Sequence, residues 1–339
     1  MKCLVASKTQ VERLKSSTIS SMSLISAVIS ILSIALLLYM VKASRELGTK
    51  LSKLQSSNSK AFKETLAAIH SQESSAKRRE QLLYLPILEK RGANWSFDVS
   101  VTSHPARFEA LAISLESLKS QILQPENILV HISVEDYPKL PDAIKDLETS
   151  NYIKIIKCED LGSGKKLIPA LANQGGKPII TIDDDLYFET DLFLQLLIAH
   201  NLYPNTVIAA RVHRVTQDQN STVQSFSAWE KHYDHAEGPA ADFMPTSGAG
   251  TLFPAGALHE DASNPELYRK LSFNTDDLWW YFQARRKGTL VRRLSGLDTL
   301  NFIDSTQEVG LWKNGNQDRN EVNLKALISE YGNPISLKR

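Results

Sequence analysis

Two short acidic stretches hold the residues of this chain best suited to chemistry. Asp183, Asp184 and Asp185 close an apolar run, KPIITIDDDLYF, that reads as a buried strand. Side chains on an extended strand alternate between faces, so residues two apart share one. Asp183 and Asp185 are therefore expected on one side and Asp184 on the other. Two carboxylates together at a strand end suit a hard divalent cation, Mg²⁺ or Mn²⁺. A solvated acidic turn is the alternative on local sequence alone. The second stretch is NTDDLWW, residues 274–280. Its Asn274, Thr275 and Asp276 are the types that cap a helix and favour its dipole.

The elements that must position these acids follow from hydrophobic periodicity. FDVSVTS (97–103) alternates and predicts a first strand. HPARFEALAISLESLKSQ (104–121) has helical spacing, with Pro105 suited to its first turn. NILVHIS (127–133), YIKIIKC (152–158), KPIITI (177–182) and TVIAARVHRV (206–215) predict further strands. Helical patterns at 140–148, 165–173 and 191–201 separate them. Strands alternating with helices at this interval imply an α/β fold, a mostly parallel central sheet flanked by helices. Such sheets bind ligands beyond the carboxyl ends of their strands, which is where the acids stand. GSGKK (162–166) is not a phosphate loop, because Glu159 stands where glycine is required and Lys166 where Ser or Thr is required.

Composition fits a globular protein, with 42% hydrophobic and 23% charged residues in 339. The net charge of +1 hides a split. Residues 1–91 carry 15 Lys and Arg against 6 Asp and Glu, or +9, and residues 92–339 carry 24 against 32, or −8. The larger part lacks a clustered basic face, which argues against nucleic acid as partner. Cys3 and Cys158 are too far apart to form a disulfide framework. Residues 22–41, MSLISAVISILSIALLLYMV, are long and apolar enough to predict one transmembrane helix. The expected organisation is a short basic segment (1–21), the span (22–41), a basic helical stalk (42–91), a catalytic domain (92–310) and a helical extension (311–339). Basic residues after the span predict contact with membrane lipid and a domain on the cytoplasmic side. The 4,3 spacing of Leu47, Leu51 and Leu54 allows self-association through the stalk, or a solvated helix.

The motifs SVTSHPARFEAL, SLKSQILQPENILVHIS, GSGKKLIPAL, IITIDDDLYF, GAGTLFPAGAL and NTDDLWW, in this order over about 92–310, are similar to those of one family. The chain resembles the nucleotide-sugar-dependent glycosyltransferases of the A-type fold, closest to bacterial family-2-like enzymes of surface polysaccharide assembly. That resemblance implies a Rossmann-like sheet preceded here by the membrane helix. It implies a nucleoside-diphosphate sugar donor, a glycan or lipid-linked acceptor, and Mg²⁺ or Mn²⁺. It implies Asp183 and Asp185 as the metal pair, with Asp184 structural or in contact with ribose or donor sugar. Thr102, Arg107, Lys166 and the acids after strand two, Glu135 and its neighbour Asp136, are implied on the nucleotide sugar. His259 is implied as a further metal ligand in some such enzymes, although a lone histidine is more often structural. An inverting transfer needs a carboxylate to take the acceptor proton. Asp277 is the expected base and Asp276 the runner-up. The loop PTSGAGTLFPAG (245–256) is expected as the acceptor floor, and Trp279 and Trp280 as one sugar platform and one core residue.

Two other readings share this sheet. One is a non-catalytic scaffold in a polysaccharide assembly complex, which has no need of unpaired carboxylates. The other is a nucleotidyltransferase, which carries a Gly-rich basic loop after strand one that VTSHPARF lacks.

Overall fold

The computed structural model describes residues 59–297, 299–304 and 316–337. The chain divides into two compact units, Met1–Gln72 and Glu73–Arg339. In the first, the described residues belong to the start of helix α1 (Ser59–Leu82). The second unit holds the site.

In the second unit, a short helix α2 (Leu85–Lys90) leads into β1 (Asp98–Thr102). Helix α3 (Phe108–Ser117) and β2 (Asn127–Ser133) follow, then α4 (Asp142–Thr149) and β3 (Lys154–Cys158). Next are α5 (Ile168–Leu171), β4 (Ile179–Thr181), β5 (Leu186–Tyr187) and α6 (Leu192–Leu202). The chain continues through β6 (Val207–Ala209), β7 (Val212–Arg214), β8 (Phe243–Pro245) and β9 (Thr251–Phe253). It closes with α7 (Pro265–Ser272), α8 (Asp276–Lys287), β10 (Val291–Arg293), β11 (Asn301–Phe302) and α9 (Asn316–Tyr331).

The main sheet has the order β10-β6-β9-β4-β1-β2-β3. All neighbours are parallel except β9, which runs antiparallel between β4 and β6. Its interior strands are covered on both faces, as the alternation of their side chains shows. Ile179, Val207, Ala209 and Phe253 enter one hydrophobic cluster with Trp279, Trp280 and Phe282. Their strand neighbours Ile180, Ile208 and Leu252 enter another with Phe97, Phe193 and Leu196. The sheet is thus the middle of three layers, and the acids at the end of β4 emerge between them.

Two predicted elements differ from their patterns. The run 206–215 is not one strand: β6 lies in the main sheet and β7 pairs with β8 in a second, two-stranded sheet. The helix predicted over 165–173 is a 3₁₀ turn, Gly162–Lys166, followed by the single turn α5. Packing against Tyr268 explains part of this, since a Cβ on Gly164 would lie 2.4 Å from that ring. α9 packs on α7 and α8, so the C-terminal helix buttresses the helix that carries Asp276 and Asp277.

The expectation of a single-pass membrane protein is corrected. No helix among the described residues is long and apolar enough to cross a membrane. The segment 22–41 on which that expectation rested lies outside them, as does the leucine pattern at 47–54.

Candidate active site

β4 ends at Thr181, and Asp183–Asp185 sit in the turn that joins it to β5. Strand alternation therefore does not govern the three acids. Arg107, in the 3₁₀ turn Pro105–Arg107 after β1, divides them instead. Its Nη1 donates to Asp184 Oδ1 at 3.0 Å and lies 2.9 Å from Asp185 Oδ2. Asp183 faces Lys166, whose Nζ donates to its Oδ1 at 2.5 Å. Asp184 is buried and also accepts from Ser103 Oγ at 2.5 Å. That arrangement makes Asp184 the acid that ties the turn to the end of β1.

The second acidic stretch is brought against the first. Asp276 and Asp277 form the first turn of α8, where the helix dipole favours negative charge. Thr275 makes no capping bond to that helix through its side chain. The bend between β8 and β9 does the positioning. Ser247 N donates to Asp277 Oδ1 at 2.7 Å, and its hydroxyl lies 2.7 Å from Asp277 Oδ1 and 2.9 Å from Asp276 Oδ2. A hydroxyl has one proton, so it can donate to only one of the two at a time. Lys166 Nζ donates to Ser247 Oγ at 3.3 Å and stands 3.6 Å from Asp276 Oδ2. Lys166 and Ser247 therefore join the two acidic stretches. Gly248 permits the approach: a Cβ there would lie 1.7 Å from Asp183 Oδ2.

Charge and burial set the protonation states. Burial opposes the charge on Lys166, but Asp183, Asp276 and Asp277 outweigh it and raise its pKa. Arg107 is likewise held above its ordinary value, against burial, by Asp184, Asp185 and Asp183. Burial raises Asp184 despite Arg107 and Ser103. Asp185 is pushed up to about 7, first by burial and then by Asp183. Within the acidic pair, burial works to raise Asp276, but Lys166 and the hydroxyls of Ser163 and Ser247 bring it below the usual carboxylate range. Asp277 is pushed up to about 7 by burial and by Asp276. Two carboxylates with separated affinities for a proton are the signature of an acid/base pair.

These groups line one cavity of about 760 Å³ at the carboxyl ends of β1 and β4. Thr102, Arg107, Lys166, Asp183, Asp184, Asp185, Asp276 and Asp277 all border it. Glu135 is exposed and does not; its neighbour Asp136 does, and bonds to Lys139 at 2.7 Å. His259 is also absent from the lining. Its Nδ1 accepts from Asp261 N at 3.2 Å at the head of a 3₁₀ turn, and its Nε2 lies 3.4 Å from Arg286. A ring so engaged is a structural cap, which corrects its expectation as a metal ligand. Trp279 and Trp280 are both core residues, fully buried, so neither is a sugar platform. Trp279 Nε1 donates to Ala262 O and Trp280 stacks on Tyr268.

Within the expected acceptor floor (245–256) sequence reasoning did not single out Ser247, and it missed Arg211, His213, Lys231 and Asn320; all five also line the cavity. Asn320 sits on α9, and nothing local marks Asn320 or Ser247. Arg211 and His213 stand two apart, a spacing that would share a strand face.

The acids fit a hard divalent cation of the Mg²⁺ or Mn²⁺ kind. Asp183 is close enough to Asp185 to raise it, so a positive charge between them would relieve that repulsion. Among the described residues, no group of three or more His, Cys, Asp or Glu is placed to hold a metal alone. A site of this type completes its shell with water and substrate phosphate oxygens.

No family model matches the chain, and no curated protein matches it. Solved structures do. S. aureus TarS 1–349 has a TM-score of 0.40 at 15% identity, over 59% of this chain and 58% of that one. Its complex with UDP-GlcNAc gives 0.40 at 14%, over 59% and 56%. The 4-diphosphocytidyl-2C-methyl-D-erythritol synthase of Anaerococcus prevotii gives 0.38 at 16%, over 66% and 96%. The chain thus spans under two thirds of the TarS chain it matches. A mostly parallel central sheet flanked by helices, with acids at the carboxyl end of β4, is the architecture that the A-type glycosyltransferase resemblance implies.

Proposed function

We propose that this chain is a glycosyltransferase. It moves a sugar from a nucleoside-diphosphate donor to a hydroxyl of a glycan or lipid-linked acceptor in surface polysaccharide assembly. The observation that carries the reading is the bridge made by Lys166 and Ser247. It joins a two-carboxylate cation site, Asp183 and Asp185, to a separate acid/base pair, Asp276 and Asp277, in one cavity. A scaffold gains nothing from burying carboxylates at this cost.

In this reading the acceptor oxygen attacks the anomeric carbon while Asp277 takes its proton. The bond from the anomeric carbon to the diphosphate breaks, and its electron pair leaves with the nucleoside diphosphate. Attack opposite the leaving group inverts the centre. Asp276, held charged by Lys166, keeps the proton affinity of Asp277 high enough to act as a base near neutral pH. Thr102 and Arg107, which border the cavity, would meet the diphosphate. Asp183 and Asp185 would hold Mg²⁺ or Mn²⁺, which when bound supplies charge neutralisation for the diphosphate.

Calorimetric titration of the protein with UDP-, GDP- and CMP-linked sugars, in Mn²⁺ and in EDTA, tests this directly. The expected result is saturable binding of one donor that Mn²⁺ strengthens and EDTA or Asp185→Asn removes. A folded protein that binds no donor overturns the proposal, and metal-independent binding overturns the cation site.

Gly248→Ala supplies a second test without touching a charge. The added Cβ would occupy the place of the Asp183 carboxylate, and a misplacement of about 1 Å at such a site costs roughly 10²-fold in rate. Turnover is expected to fall by that order, whereas Asp277→Asn should leave donor affinity alone. Wild-type turnover in the Gly248→Ala protein would show that Asp183 has no role.

A further inference from the structure

Beyond the acid pair, the same cavity has a wall of opposite character. Arg211, the residue before β7, and His213, within it, both border the cavity on either side of the buried Val212. Phe226 and Lys231 complete the wall from the segment between β7 and β8. The wall adjoins the base directly. Thr246 N and Oγ1 donate to Arg211 O at 3.0 and 3.2 Å, and the next residue, Ser247, donates to Asp277.

From this wall we infer that the acceptor carries an anionic group, a phosphate or a carboxylate, near the hydroxyl that receives the sugar. The inference rests on the glycosyl-transfer reading for what the wall serves, and on the wall's own chemistry for the charge.

Lys231 is not a loose surface lysine. Its Nζ donates to Phe226 O at 2.5 Å and lies 3.3 Å from the centre of the Phe226 ring. Burial lowers its pKa to about 8, with Glu321 the carboxylate that acts against the shift. It therefore keeps its charge at neutral pH in a place that disfavours charge, which an anion beside it would offset. His213 is neutral, brought down to about 3 by burial and then by Arg211, Lys231 and His232. Arg211 and Lys231 are cations and no carboxylate acts on His213, so the field there is that of an anion site. Its Nδ1 accepts from His232 N at 3.1 Å, which leaves the proton on Nε2 as a neutral donor. Cations held in place, one neutral donor and an aromatic base favour an acidic glycan over an uncharged one.

The test is calorimetry on the full chain at fixed low ionic strength, with glycerol 1-phosphate and glucuronate as probes and glycerol and glucose as neutral controls. Saturable binding of an anion without its neutral partner is expected, and the probe that binds distinguishes phosphate from carboxylate. Lys231→Met and Arg211→Gln should each weaken it about tenfold or more, the loss of one charge-assisted contact. Acetylation of Lys231, read by mass spectrometry in the unmodified chain, should slow when the probe is present; this arm stands if either variant fails to fold. Equal binding of neutral and anionic probes overturns the inference. So does anion binding that neither variant weakens, or that leaves Lys231 acetylation unchanged, because the probe then sits at the diphosphate position. Parallel titrations with nucleotide sugars report on the donor end separately. Anion binding without donor binding would sink the glycosyl-transfer reading and leave the anion site standing.

Discussion

Under the proposed base role, Asp277→Asn is expected to lower turnover by about 10²- to 10⁴-fold, the usual contribution of a positioned general base, while the donor still binds. The amide keeps the shape and can still accept from Ser247 N, which lies 2.7 Å from Asp277 Oδ1. What it loses is the capacity to take a proton. The unaltered protein carries a matching pH signature. Burial and Asp276 push Asp277 up to about 7, and only its unprotonated form can act as base. kcat/KM should therefore rise with pH through about 7 and level off above it. In Asp277→Asn the residual rate should lose that rise. Asp276→Asn separates the two acids. Asp276 lies below the usual carboxylate range, so it is charged throughout this interval and cannot produce the profile. Steady-state rates from pH 5.5 to 8.5 decide the matter. Full turnover by Asp277→Asn, with its loss in Asp276→Asn, would transfer the base role to Asp276.

Lys166→Met should be the most damaging single change to stability among the site residues. Lys166 is 4% exposed, and its ammonium is the cation shared by Asp183 and Asp276. Removing one partner from such a buried arrangement costs about 3–5 kcal/mol, because carboxylates remain without compensation. For a unit of this size that is roughly 10 °C in Tm. The sign of its pH dependence is also fixed. Without Lys166 the native carboxylates hold protons more tightly than the unfolded chain does, so the variant gains stability as pH falls through their raised pKa values and loses it as pH rises. Lys166 itself adds no slope near neutrality, because its folded pKa lies above an already high ordinary value. Thermal melts at pH 5 and pH 8 should show a larger gap from the unaltered protein at pH 8. A variant that melts with the unaltered protein at pH 8 would show that the bridge contributes nothing.

Part of this molecule follows from the sequence alone. β1 was visible because its apolar residues alternate, β2 and α6 because each is a short apolar run bounded by polar residues, and the parallel order followed from their spacing. The two acidic stretches were visible because charge at the end of an apolar run needs a reason. The antiparallel entry of β9 was not visible, since three residues beside a glycine-rich bend carry no orientation. The division of 206–215 into β6 and β7 was hidden because both halves have strand character, and only pairing with different partners separates them. Trp279 and Trp280 could be read as sugar platforms until α8 proved to be enclosed on every side, where an all-apolar stretch has no preferred face. His259 offered the same residue type as a ligand and a cap, and its distance from the acids belongs to the fold. Residue types and periodicity thus determined which groups could do chemistry and on which kind of sheet. The tertiary structure decided which of them meet: Ser247 with Asp277, Lys166 with both acidic stretches, and Lys231 with Phe226 on the adjoining wall. Those contacts join residues 5 to 110 positions apart in the chain, and their partners are selected by packing of the whole, which no local pattern encodes.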